Sequence, residues 1–266
     1  DRNLVSQWQS RLPEILDSPD EVLVEAMREI MEPANLLFTH HLDITGQAGG
    51  AVQLLSTICE ERLGDRSIAL TLLGGLGDID SAEPSYVLWE LGRMVANSNE
   101  LTSLFNTGLS DLELRLRQSD AAQEFMEHFD NFLDVFGSRG PNEWETACET
   151  WGTNPASVLT LIDRMRLTDP ENSPSVRALE LSKKREEATL NARKELKGFG
   201  SWLFEKALHS SILFSQARER SKTTIVDLIH VARLITRELA NRTAKERGNA
   251  ELIDLWFILE SELDEF

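Results

Sequence analysis

Residues 222–247 read KTTIVDLIHVARLITRELANRTAKER, and this run decides the fold class. Ile225, Leu228, Ile229, Ala232, Ile235 and Leu239 recur at three- and four-residue intervals, which places them on one face of an α-helix. Gly248 follows where a helix is expected to stop. Beyond it, the apolar segment LIDLWFIL at 252–259 is expected to end the core.

Working outward, the same period recurs upstream. A helix is expected over about 199–220, with Trp202, Leu203, Leu208, Ile212, Leu213 and Ala217 apolar, and a charge-laced one over 175–197. TDPENSP at 168–174 and GSRGPN at 137–142 read as breaks, with a helix from about Pro155 to Arg166 between them. Residues 119–136 line up Phe125, Phe129, Phe132, Leu133 and Phe136, and shorter helices are expected over 99–117. Near the start, Leu4, Val5, Trp8, Leu12, Ile15 and Leu16 share one face, with Pro13 as an expected kink or stop. Ser18-Pro19-Asp20 starts a second helix that turns Val22, Leu23, Ala26, Ile30 and Met31 inward and breaks near Pro33. Further helical stretches are expected through Ile44, over 51–63 up to Gly64, and after a cap at Ser81–Pro84.

Composition agrees with an all-α fold, an irregular multi-helix bundle with long C-terminal amphipathic helices. Gly and Pro total only 23 of 266 residues, too few for turn-dense β structure. The reading is one helical domain over 1–266, with sub-halves 1–136 and 137–266. Because the chain opens on Asp1 within an apparent helix, it is expected to be part of a longer polypeptide. Forty-five acidic against 27 basic residues give a net charge of −18, which argues against nucleic acid and anionic membranes as partners. No run approaches the ~18 apolar residues of a membrane helix. Cys59 and Cys148 lack metal or redox spacing and read as reduced thiols of a cytoplasmic protein.

Several motifs invite a chemistry and fall short of it. Gly74-Gly75-Leu76-Gly77 has Asp80 where a dinucleotide loop needs glycine, and no Lys-Ser/Thr pair follows, so it reads as a structural turn. His40 and His41 are adjacent, hence about 100° apart on a helix, and cannot both face one metal. Glu124, Glu127 and His128 miss the Glu-x-x-His spacing of di-iron bundles. No metal site and no hydrolase nucleophile emerge. The cations Arg218 and Lys222 are more informative. Four residues apart, they present a two-point clamp for a phosphoryl group, against the plainer reading of a solvated helix end beside Glu219. Arg139, between two glycines, reads as a loop anion contact or a buried ion pair.

Three patches carry a family resemblance. Residues 217–248, with Arg218-Glu219 ahead of Lys222, and then LIDLWFILESE resemble the helical region of phosphoenolpyruvate-synthase-like proteins, and among them the rifamycin phosphotransferases. Phe136-Gly137-Ser138-Arg139-Gly140-Pro141-Asn142-Glu143 is similar to the family's aromatic-Gly-His-Arg-Gly-Pro-x-Glu turn, and 72–91 to its first half. The resemblance implies the helical body that binds the acceptor between an ATP-grasp domain and a mobile phosphohistidine domain. It assigns phosphoryl transfer to Arg218 and Lys222, and Arg139 and Glu219 are the candidate substrate-binding residues. ATP and Mg are implied for the full-length protein, with no cofactor in this portion. The chain departs from the pattern at Ser138, which replaces the turn's His, and at Arg220-Ser221, which replace Tyr-Pro. None of His40, His41, His128, His209 or His230 has the context of the phosphorylated histidine.

The expected function is therefore that of an acceptor-binding, phosphohistidine-docking helical domain, part of a phosphotransferase but not catalytic alone. The alternative is a non-catalytic helical interaction module whose acidic surface meets a basic partner. A degenerate spacer is a third reading.

Overall fold

The computed structural model describes residues 1–77 and 82–247. All regular structure among them is helical, so the chain is an all-α, multi-helix protein. In chain order the helices are α1 (Arg2–Leu16), α2 (Asp20–Glu29), α3 (Met31–Leu63), α4 (Ile68–Leu72), α5 (Glu83–Asn97) and α6 (Asn99–Asn106). They continue with α7 (Leu112–Arg117), α8 (Gln123–Phe136), α9 (Pro155–Leu167), α10 (Pro174–Glu195) and α11 (Gly198–Arg247). Short 3-10 turns cover Asp120–Ala122 and Pro170–Asn172. The expected cap at Ser81, the stop at Gly248 and the segment 252–259 lie outside the described residues.

Two compact units share the chain, and each draws on separated segments. One contains Asp1–His41, Val135–Asn154 and 221–247, the other Leu42–Asp134 and Pro155–Arg220. In the first unit α1, α2 and α11 supply the core. Val5, Trp8 and Ile15 meet Leu23, Ala26 and Ile30, together with Ile225, Leu228, Val231, Ile235 and Leu239. Val22 and Met31, expected inside, are instead 39% and 50% exposed. Each directly neighbours a buried residue and so lies about 100° away around the helix.

The second unit has the more conventional core. Phe105 meets Phe125 edge-to-face and Phe125 stacks on Phe129, at centroid separations of 5.9 and 6.1 Å. Ala69, Leu72, Ala192, Phe204, Ala207 and Leu208 form a further buried cluster. On α11, Trp202 and Leu213 are exposed rather than buried, while Phe204 and Ala207 point inward. Gly92 lets α5 approach α9. A Cβ there would stand 2.7 Å from that of Met165 and 2.9 Å from the Arg166 nitrogen.

Two expected breaks do not occur, and a third falls three residues earlier than expected. α1 continues past Pro13, whose carbonyl accepts from the Asp17 amide. Pro33 lies in the first turn of α3, where its missing N–H leaves no bond unmade, and the break falls just before it, at Ile30. The two helices expected over 199–220 and 222–247 are one helix of 50 residues, because no glycine or proline interrupts the run from Ser201 to Arg247. Gly64 ends α3 as expected, in the left-handed region at φ +78°.

Candidate functional site

In the first unit, the segment after α8 folds onto one face of α11. Glycines and a proline at 137–141 prevent the helix from continuing, and Arg139 returns toward α11. Its guanidinium, with only 6% of the residue exposed, donates from Nη1 to Glu143 Oε1 at 3.1 Å and from Nη2 to Thr223 Oγ1 at 3.0 Å. Lys222 Nζ reaches the same Glu143 Oε1 at 2.7 Å. Glu143 Oε2 accepts from the Gly140 amide at 3.4 Å. One buried carboxylate thus holds two cations and leaves the trio one positive charge in excess.

Deeper along this face the polar residues continue at helical spacing. Ser138 Oγ donates to Asp227 Oδ1 at 2.7 Å, and Thr150 Oγ1 lies 3.4 Å from His230 Nδ1. Arg233, fully buried, donates from Nη2 to the carbonyls of Glu143 and Glu145, both at 2.9 Å. It clamps the backbone that presents Glu143. Burial shifts the ionisations here in the expected directions. It pushes the Asp227 carboxyl up, against the opposing hydrogen bond from Ser138 and the charge of Arg139. It lowers His230 to about 4, with the Arg233 charge adding to the effect, and it lowers Arg233 itself.

Beside Lys222 lies an aromatic group. His41 Nδ1 is 2.9 Å from Ser221 Oγ, and its ring sits 5.3 Å from that of Trp144. Phe38 meets Trp144 edge-to-face at 6.4 Å. Contacts therefore run from Lys222 to Glu143, along the chain to Trp144, across to His41 and Ser221, and back to Lys222.

Of the residues singled out in the sequence, Lys222 and Arg139 are brought together by Glu143. Arg218 and Glu219 belong to the second unit, where Arg218 Nη2 pairs with Glu219 Oε1 at 2.6 Å. The sequence reading gives no role to Glu143, His41, Ser221, Trp144 or Arg233. Glu143 carried a signal, as the acid that ends the glycine turn. The others are recruited by contacts that no local pattern announces.

The glycines at 74–77 form a turn packed on α10. Arg185 donates to the carbonyls of Gly74 and Gly75, and Gln216 Nε2 to that of Gly77 at 3.0 Å. Gly75 has φ +57°, and a Cβ on it would stand 2.6 Å from the Ser182 nitrogen. The turn thus packs closely on α10 through Gly75, while Gly75, Leu76 and Gly77 also line a cavity of about 570 Å³ shared with Tyr86 and Arg177.

No curated protein matches the chain. The family described as the rifampicin phosphotransferase fourth domain matches residues 40–219, the greater part of the sequence. The match includes His41, Arg139, Glu143, Trp144, Arg218 and Glu219 and ends just before Ser221 and Lys222. The resemblance read from the sequence therefore stands, and the chain belongs to the family of the rifampicin phosphotransferase fourth domain.

Proposed function

We propose that this helical domain binds a hydroxyl-bearing acceptor and receives a phosphohistidine domain, so that a phosphoryl group passes from histidine to acceptor. The observation that carries this reading is the pairing of Lys222 and Arg139 on one buried carboxylate, in a chain whose net charge is −18. Buried charge is costly, and a cluster that holds the Lys222 ammonium near the surface suits a group that arrives already anionic. In the transfer, the acceptor oxygen attacks phosphorus, the N–P bond breaks, and the hydroxyl proton passes to the released imidazole. Lys222 neutralises charge on the phosphoryl oxygens, while Arg139 holds the substrate. Such chemistry rests on positioning and charge, which fixed cations supply. ATP and Mg would act in another domain of the full-length protein, and no step on this chain runs through them.

The test is Lys222→Ala in the full-length protein. Histidine phosphorylation continues, while acceptor phosphorylation falls by about a hundredfold or more, the usual cost of one lost charge-stabilising donor. Acceptor phosphorylation at the wild-type rate would overturn the reading.

A further inference from the structure

We infer that the outer face of α11 between Phe199 and Leu213 is a docking surface, and that its partner is an acidic amphipathic helix. The surface lies wholly in the second unit and shares no residue with the Lys222 cluster, so the inference stands apart from the phosphotransfer reading. Phe199, Trp202, Lys206, His209 and Leu213 are all exposed, and they follow one another at intervals of three, four, three and four residues. That alternation is the seam of a coiled coil, whose positions face a second helix. The opposite side of the same turns already faces the core, where Phe204, Ala207 and Leu208 are buried. Phe199 and Trp202 are 71% and 55% exposed, the most exposed aromatic side chains among the described residues. They stack on each other at 5.5 Å and 25°, which joins them into one apolar surface left in water.

The charges select the occupant. Residues 193–209 carry four basic side chains against two acidic ones, in a chain whose net charge is −18. Of the two acids, Glu205 is already held by Arg193, which donates from Nε at 2.7 Å and from Nη2 at 2.9 Å. Lys206 sits in the middle of the seam, and Lys194 and Lys197 are exposed on the stretch that leads into it. A second copy of this face would bring its own Lys206 into the same seam, cation against cation. A carboxylate beside the apolar seam of an acidic helix instead meets Lys206 and fixes the register, as a lone seam lysine does in coiled coils. The stripe is about 21 Å long at 1.5 Å per residue, so two heptads of partner helix cover it.

The experiment titrates the full chain into two labelled three-heptad peptides, followed by fluorescence anisotropy. Both carry leucine at the seam positions; one has glutamate beside them and the other lysine. The glutamate peptide binds saturably, and the lysine peptide binds at least tenfold more weakly. Phe199→Ala and Trp202→Ala each weaken the glutamate peptide at least tenfold, as central aromatic anchors do. Val135→Ala, at an exposed position on α8, changes it less than twofold. Lys206→Glu reverses the preference between the two peptides, an outcome that loss of structure does not produce. No saturable binding, equal binding of the two peptides, or wild-type affinity in Trp202→Ala would overturn the inference. Trp202-dependent self-association in sedimentation would also overturn it, since the occupant would then be a second copy. Trp202-dependent binding to phosphatidylserine vesicles without peptide binding would overturn it in favour of a lipid surface.

Discussion

The turns at 74–77 and 137–142 both contain glycines and both are held by an arginine, yet they are built for different ends. At the first, Arg185 from α10 satisfies two backbone carbonyls, and the turn contributes no charged side chain of its own. Gly75 serves close packing there, since it admits α10 where any Cβ would collide. At the second, Arg233 likewise donates to two carbonyls, but the segment it clamps brings Arg139 and Glu143 into the interior. Burying charges costs several kcal/mol per ion unless they are paired, and apolar residues would fill the same space at no such cost. The contrast separates a turn that completes a fold from one that holds chemistry in place.

The largest stability effect expected from this contrast is that of Arg233→Met. The methionine roughly keeps the volume but strips the Glu143 carbonyl of its donor and the Glu145 carbonyl of one of two, the Cys148 amide being the other, and it should lower stability by about 3 kcal/mol in urea unfolding. Loss of less than about 1 kcal/mol would mean that the clamp is dispensable.

The second expectation concerns pH. His230 is held neutral in the folded state, with its value lowered to about 4, while an unfolded histidine titrates near 6.5. Protonation therefore favours unfolding, so the stability present above pH ~6.5 is lost as pH falls toward about 4, by up to about 3 kcal/mol. Asp227 acts in the opposite sense. Its raised value favours the folded state when protonated, and that contribution is lost as pH rises. His230→Asn should flatten the descent between pH 6.5 and 4 in thermal unfolding, and an unchanged slope would assign it to other groups.

A smaller effect is expected at the purely structural turn. Gly75→Ala should cost about 2 kcal/mol, from the left-handed backbone and the collision with Ser182, with no effect on acceptor phosphorylation beyond that of stability. A selective loss of transfer in this variant would erase the distinction between the two turns.

Much of the fold is legible in the sequence because it is written locally. The faces of α1 and α11 follow from spacing alone, and Val5, Trp8, Ile15, Ile225, Leu228, Ile235 and Leu239 are buried as that spacing implies. Helix continuity is harder to read. Two helices are expected over 199–220 and 222–247, yet without glycine or proline between them the hydrogen-bond ladder runs through as one helix. The candidate site is legible only in its cations. Lys222 and Arg139 stand out against the acidic background, but their meeting depends on Glu143, and the hydrogen bond between His41 and Ser221 joins residues 180 positions apart. His41 looks like an ordinary core-edge residue until folding gives it Ser221 and Trp144 as neighbours.

The most direct test is a single-turnover chase. Full-length protein carrying its phosphorylated histidine is mixed with acceptor, and loss of the phosphoryl group from histidine is timed in wild type and in Lys222→Ala. The account predicts that the variant keeps its unfolding midpoint but transfers about a hundredfold more slowly. Equal transfer rates in two equally stable proteins would contradict it.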